Sequence, residues 1–202
     1  MRIASAEEVV QALRDRLEAV ERADLLSDAV EGRRPNARKA AVLIGLFEQN
    51  DETYVAFIRR ASMLRAHSGE IAFPGGSMDA SDSSLVAAAL REAHEEIGLD
   101  PKQVKVLGVL PPVFTIVSNY LITPVVGFLP QGLGELSLQA SEVTELILAS
   151  LQSLADPAIA HTEQWTRDGM KRTVYFYDHG PYRIWGATGR ILSMLLKLLE
   201  DL

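Results

Sequence analysis

A chain of 202 residues suits one domain of ordinary size, with or without an added helical arm. Its net charge of −7 argues against a general nucleic-acid binder, which carries a basic excess, and 48% hydrophobic with 23% charged residues is the balance of a soluble globular protein. There are no cysteines, no N-terminal run ordered like a signal peptide and no apolar stretch long enough to span a bilayer, so the cytoplasm is the expected location.

Ser5-Ala6-Glu7-Glu8 is a capping box, and it opens a helix expected to run to about Glu21 with apolar Val9, Val10, Leu13, Leu17 and Val20. Its polar face mixes signs and reads as scaffold. Leu25 to Lys39, with Gly32 and Pro35, reads as a loop or short helix. Residues 1–36 are thus expected to form a helical arm packed on a domain of residues 37–202. Ala40–Phe47 and Thr53–Arg59 are β-rich runs flanking Asn50-Asp51, which predicts a hairpin.

From Arg59 to His67 there are three arginines (Arg59, Arg60, Arg65) and one histidine with no acid. This is either a solvated basic strand end and loop or a clamp for phosphate, since guanidinium forks match phosphate oxygens. A short strand, Ile71–Phe73, then delivers the chain to Gly75-Gly76. Paired glycines admit backbone conformations closed to other residues and a close approach to a ligand.

The next helix carries the strongest signal. Ser81, Asp82, Ser83 and Ser84 offer N-caps, and Gly98 suits the left-handed residue past the end. Val86, Ala89, Leu90, Ala93 and Ile97 form an apolar stripe, while Glu92, Glu95 and Glu96 are expected to fan out on another side. Glu92 and Glu96 repel at i, i+4 by roughly 0.2–0.5 kcal/mol, a cost that reverses when a hard divalent cation lies between them. Alone, the triplet reads as the solvated acidic face of an amphipathic helix; joined to Gly75-Gly76 upstream, Arg91 before Glu92 and Gly98 after Glu96, it reads as a functional site.

Downstream, Val104–Leu110 is a strand, Phe114–Asn119 a loop, and Tyr120–Leu129 a strand interrupted near Pro124, which fits an edge or bulge better than a central position. Ser150–Leu154 begins a short helix. Arg172–Tyr177 and Tyr182–Trp185 form a late hairpin, and Thr188 is placed as the cap of a final apolar helix. That helix reads as buried core, with a homodimer surface as the alternative. Hairpins mixed with helices imply an α+β sandwich, not a doubly wound parallel sheet.

Arg91-Glu92-x-x-Glu95-Glu96-x-Gly98-Leu99 resembles the second half of the Nudix box, G-x5-E-x7-R-E-U-x-E-E-x-G-U. The spacing from Gly76 to Arg91 is one residue longer than that pattern. Counted forward from Gly76 the first acid falls on Asp82; counted back from Arg91 it falls on Ser83. Arg60 through Gly76 also resembles the segment preceding the box in coenzyme A diphosphatases, Arg-[Ser/Ala]-x3-Arg-x3-Gly-x3-Phe-Pro-Gly-Gly. Pro124 and Ile184-Trp185-Gly186-Ala187-Thr188 extend the likeness over most of the chain from about residue 37.

The resemblance implies an α/β/α sandwich with a mixed sheet between helices, and Mg2+- or Mn2+-dependent hydrolysis of coenzyme A to 4′-phosphopantetheine and adenosine 3′,5′-bisphosphate. It implies a metal held by Glu92, Glu96 and the Gly76 carbonyl with Glu95 nearby, and Arg91 orienting a neighbouring carboxylate. Arg59, Arg60, Arg65 and His67 are candidates for the anionic clamp, and Glu142 or Glu145 for a further acid. Two rivals stay open: a Nudix diphosphatase for ADP-ribose, dinucleotides or nucleoside triphosphates, and a non-catalytic Nudix binding module.

Overall fold

A computed structural model describes residues 4–31, 36–61, 69–167 and 169–202. The capping box forms as expected: Ser5 accepts from the Glu8 amide, Glu8 accepts from the Ser5 amide, and α1 spans Ala6–Arg16. The helix stops earlier than its apolar periodicity suggests, because Leu17 turns extended and Glu18 bridges to Val109. A short 3-10 turn at Val20–Arg22 then leads into α2, Ala23–Glu31, the helical alternative of the two readings for the stretch from Leu25.

The hairpin joins β1, Arg38–Gln49, to β2, Glu52–Arg60. Gln49 faces Glu52 across Asn50 and Asp51, with φ of 52° and 61°. These are the positive dihedrals that a two-residue turn needs to match strand twist. Next come β3 (Ile71–Ala72), β4 (Gly75–Ser77), α3 (Leu85–Ile97), β5 (Lys105–Val109), β6 (Val113–Thr115) and β7 (Tyr120–Leu129). Then follow β8 (Val143–Ser150), α4 (Leu151–Leu154), β9 (Ala160–Arg167), β10 (Met170–His179), β11 (Tyr182–Ile184) and α5 (Gly186–Lys197).

Eight of these strands form one mixed sheet ordered β3-β2-β1-β7-β5, with β4 added to β1, β6 to β7 and β8 to β2. Strands β1 and β7 run parallel; the other pairs are antiparallel. Alternation along β2 divides the core. Ala56 and Ile58 pack with Leu85, Ala89 and Ala93 of α3, while Val55 and Phe57 pack with Leu13 of α1 and Leu192 and Leu195 of α5. The sheet therefore lies between helices, an α+β sandwich. The residues of α5 that reach the core include Ile191, Leu192 and Leu195.

Three local expectations need correction. Strand β7 is central and unbroken, and Pro124 pairs with Val42 of β1. Its carbonyl accepts from Leu110, and its missing N–H points the same way, at the seam where the neighbour changes from β6 to β5. Strand β6 takes in Phe114 and Thr115, the start of the expected Phe114–Asn119 loop, and β9 completes a separate sheet, β11-β10-β9, of which only the later hairpin is predicted. Thr188 is not a cap: α5 begins at Gly186, and its N-cap, Trp185, makes no side-chain cap bond.

Candidate active site

Helix α3 is fixed at both ends by its own residues. Ser84 accepts from the Ala87 amide at 3.1 Å, and Gly98 closes the helix at φ 73°. The burial of Leu85, Ala88, Ala89, Ala93 and Ile97 sets its rotation. That rotation separates the three glutamates instead of fanning them to one side. Glu96 lies three residues beyond Ala93 and turns inward to 1% exposure, Glu92 sits half-buried between, and Glu95 remains 57% exposed.

The inward carboxylate meets the glycine loop. Gly75 donates its amide to Glu96 Oε2 at 2.8 Å, and Arg60 approaches Oε1 at 3.3 Å. Burial nevertheless outweighs both partners and pushes the Glu96 carboxyl up to about 7. Glu92 is raised by the same desolvation, opposed by Arg91. The charge of Glu142 acts on both glutamates.

Arg91 lies almost wholly within the protein's own contacts. Its Nε and Nη2 grip Asp82 at 2.9 and 3.0 Å, Nη2 also donates to the Ser77 carbonyl at 3.0 Å, and Nη1 reaches Glu92 at 3.0 Å and Glu95 at 2.9 Å. This decides between the two counts of the first acid. The Asp82 side chain is 4% exposed and takes the arginine fork, whereas Ser83 is exposed. Counted this way the extra residue falls between Asp82 and Arg91, and Asp82 itself is held in a turn where the Asp79 amide donates to its side chain at 2.8 Å and its amide donates to the Asp79 carbonyl at 3.0 Å.

Consecutive residues on a strand face opposite ways, and this parts the two arginines of β2. Arg60 follows Ala56 and Ile58 toward α3. Arg59 follows Val55 and Phe57 and pairs with Glu145 at 3.7 Å, an acid that also accepts from the Tyr182 hydroxyl. The alternation is readable in the sequence, so this division was within reach of it. Arg65 and His67 lie outside the described residues.

A profile of the NUDIX domain matches residues 37–169. The chain belongs to the Nudix family. It is similar to the protein named "Uncharacterized Nudix hydrolase NudL" of Photorhabdus laumondii, 38% identical over 165 residues covering 82% of this chain and 87% of that one. The protein of the same name in Salmonella paratyphi B is 40% identical over 164 residues, 79% of this chain and 82% of the relative. Among solved structures, a MutT/nudix family protein from Enterococcus faecalis superposes with a TM-score of 0.52 at 14% identity, covering 99% of this chain and 75% of that one, a likeness of fold.

Nudix hydrolases act on diphosphate bonds and generally use divalent cations such as Mg2+. The residues present fit such an ion. Two carboxylates of the Nudix helix are held at the glycine loop with burial still raising both, so their negative charge is undercompensated. The Gly76 backbone lies against the Glu92 carboxylate so closely that a Cβ there would fall 2.5–2.6 Å from it. Among the described residues no three acids or imidazoles are already converged as a metal cage. Magnesium does not require one, since it is held by one or two carboxylates with waters and substrate phosphates. No described helix is long and apolar enough to cross a membrane.

Proposed function

We propose that the chain is a divalent-metal-dependent diphosphatase for coenzyme A or acyl-coenzyme A. The products would be 4′-phosphopantetheine, or its acyl form, and adenosine 3′,5′-bisphosphate. The observation that carries this reading is the contact between Arg60 and Glu96. It brings Arg60, the first residue of a stretch whose sequence runs like that of coenzyme A diphosphatases through Gly76, against the acidic helix.

Glu92, Glu96 and the Gly76 carbonyl would hold the cation, with Glu95 at the rim. A cation bound there neutralises diphosphate oxygens and lowers the pKa of water. The chain's own residues divide the remaining work. Arg91, saturated by Asp82, Ser77, Glu92 and Glu95, positions carboxylates and has no fork left for substrate. Arg60 keeps 26% exposure and can donate to a substrate oxygen while holding Glu96. As water attacks phosphorus, an O–P bond forms, the anhydride O–P bond breaks, and a carboxylate takes the proton. Glu142 suits that role better than Glu145, whose oxygens are occupied by Tyr182 and Arg59. Arg65 and His67 are proposed for the anionic clamp on sequence grounds. Residues 1–36 are proposed as a scaffold arm, because Val9, Ala12 and Leu13 are spent in the core.

The deciding experiment is a substrate panel read by mass spectrometry, with and without Mg2+: coenzyme A, acyl-coenzyme A, dephospho-coenzyme A, ADP-ribose and NADH. Preferential Mg2+-dependent release of 4′-phosphopantetheine is expected. Preference for ADP-ribose or NADH overturns the coenzyme A reading, and no turnover of any substrate favours a binding module.

A further inference from the structure

The outward face of the β9-β10-β11 sheet carries a group of rings that the chemistry above does not use. Register places His161, Glu163 and Trp165 of β9 opposite Phe176, Val174 and Arg172 of β10, so all six share one face. The other face turns Tyr177 into the core, beside Ile184. On the outward face His161 lies parallel to Phe176 (centroids 4.9 Å, planes at 5°), and Phe176 parallel to Trp185 (6.2 Å, 2°). Trp165 leans on Phe176 and Trp185 at 6.1 and 5.9 Å, with planes near 50°, and remains 45% exposed.

This exposed indole is held in place. Its N–H donates to Glu163 at 2.6 Å, and two rings back it, so little freedom is lost when another ring covers it. Arg172, its cross-strand partner, has no ion pair among the described residues, and its Nε is buried without a hydrogen bond. The face thus offers a rigid π-surface between two charges, Glu163 on the indole N–H and Arg172 across the strand, and a planar ring seated on it can present an anionic group on the Arg172 side. Strand β11 links the face to the active site: it packs beside β3, which ends three residues, or about 10 Å, before Gly75. Tyr182 of β11 also reaches Glu145 of β8.

We propose that Trp165, backed by Phe176 and Trp185, is the stacking surface for the purine ring of a nucleoside-diphosphate substrate, with Arg172 beside it favouring the anionic nucleotide. The inference rests on the reading that the substrate carries an adenine nucleotide, and it does not depend on the pantetheine half. A second copy of the chain is a poorer occupant. One exposed tryptophan buries about 150–250 Å2, well short of the roughly 800 Å2 per partner of a stable interface, and two chains of net charge −7 repel.

Trp165 and Trp185 are the two tryptophans of the chain, so its indole emission reports on this face alone. AMP, titrated under red-edge excitation, is expected to quench that emission saturably, whereas 4′-phosphopantetheine leaves it unchanged. Trp165→Ala should weaken AMP about tenfold and raise the KM for the adenine-containing substrate similarly, with kcat and melting temperature retained. Trp165→Phe, which keeps a ring, should bind AMP within about threefold of the parent. Absence of quenching at millimolar AMP overturns the proposal, as does an unchanged AMP affinity in Trp165→Ala. A mass that doubles with protein concentration and reverts in Trp165→Ala assigns the face to self-association instead. If AMP quenches but coenzyme A is not hydrolysed, the base site stands and the coenzyme A reading falls. Hydrolysis of coenzyme A with an unaffected KM in Trp165→Ala rejects the base site alone.

Discussion

Arg60 and Glu96 meet across two elements that share no local sequence, at 3.3 Å, and the Gly75 amide donates to the same carboxylate at 2.8 Å. The strand end, the glycine loop and the Nudix helix are therefore locked together through one buried acid. An acid so buried stores a cost that an arriving cation relieves, which ties stability to metal and to pH.

The sign of that linkage follows from the upward shift. The ordinary Glu96 value of 4.5 rises to about 7 in the folded protein, so the native state holds the proton more tightly than the unfolded chain. Stability is then lost as pH rises between those values, by up to about 3 kcal/mol. Glutamine mimics the protonated acid. Metal-free Glu96→Gln should melt near the parent at pH 5 and above it at pH 8, while turnover with saturating Mg2+ falls by several orders of magnitude. Parallel melting curves across pH would remove Glu96 as the source of the linkage, and turnover within tenfold of the parent would remove it as a metal ligand.

The two loop glycines should fail in different ways. Gly75 has φ of 153°, and a Cβ there would lie 2.3 Å from the Ala41 carbonyl oxygen and 2.6 Å from Val42 Cα. Backbone cannot move aside, so Gly75→Ala should cost roughly 3 kcal/mol or more. Gly76 needs no unusual φ, and the atoms nearest its Cβ would be the end of the Glu92 side chain, which can swing away. Gly76→Ala should therefore melt within about 1 kcal/mol of the parent yet lose about a hundredfold in kcat/KM by displacing that carboxylate. Activity loss that merely tracks unfolding in both variants would make Gly76 structural.

The sequence conveyed the parts whose cause is local. The Ser5–Glu8 box, the Asn50-Asp51 turn, the Ser84 cap and the Gly98 terminus each rest on contacts within four residues. Pro124 misled because a missing N–H is harmless at a seam between two neighbour strands, and such a seam exists only in the assembled sheet. The acidic helix was recognisable from its spacing, but which glutamate turned inward depended on how α3 rotates onto β1 and β2. Strand β9 was missed because its inward face contributes little: Thr162 and Gln164 alternate with the outward His161, Glu163 and Trp165, so no clear apolar alternation marks it.

The choice of Asp82 over Ser83 yields a paired test. Arg91 holds the Asp82 carboxyl below its ordinary value, so this contribution is present above the unfolded carboxylate range and lost on acidification through the lower folded value. Asp82→Asn should destabilise by about 1–3 kcal/mol at neutral pH, because Arg91 retains its other acceptors, and should lower kcat as Arg91 drifts from Glu92. Ser83→Ala, at an exposed position, should change neither. If thermal melts and kcat show the reverse, the longer spacing is absorbed before Asp82.

The basic segment before the glycine loop can be divided by substrate. Arg60 holds Glu96, so Arg60→Ala should damage hydrolysis whatever else the substrate carries. Its losses on coenzyme A and dephospho-coenzyme A should agree within about threefold, because the group lost serves the diphosphate and the buried acid. Arg65, proposed for the clamp on sequence grounds, gives the contrast. A charge-assisted arginine–phosphate bond is worth about 1.5–3 kcal/mol. Arg65→Ala should therefore lower kcat/KM on coenzyme A roughly ten- to a hundredfold and leave dephospho-coenzyme A, which lacks the 3′-phosphate, nearly unaffected. Equal losses on both substrates would move Arg65 to the diphosphate or to the fold. A selective loss in Arg60→Ala would mean that its guanidinium leaves Glu96 for the 3′-phosphate when substrate binds.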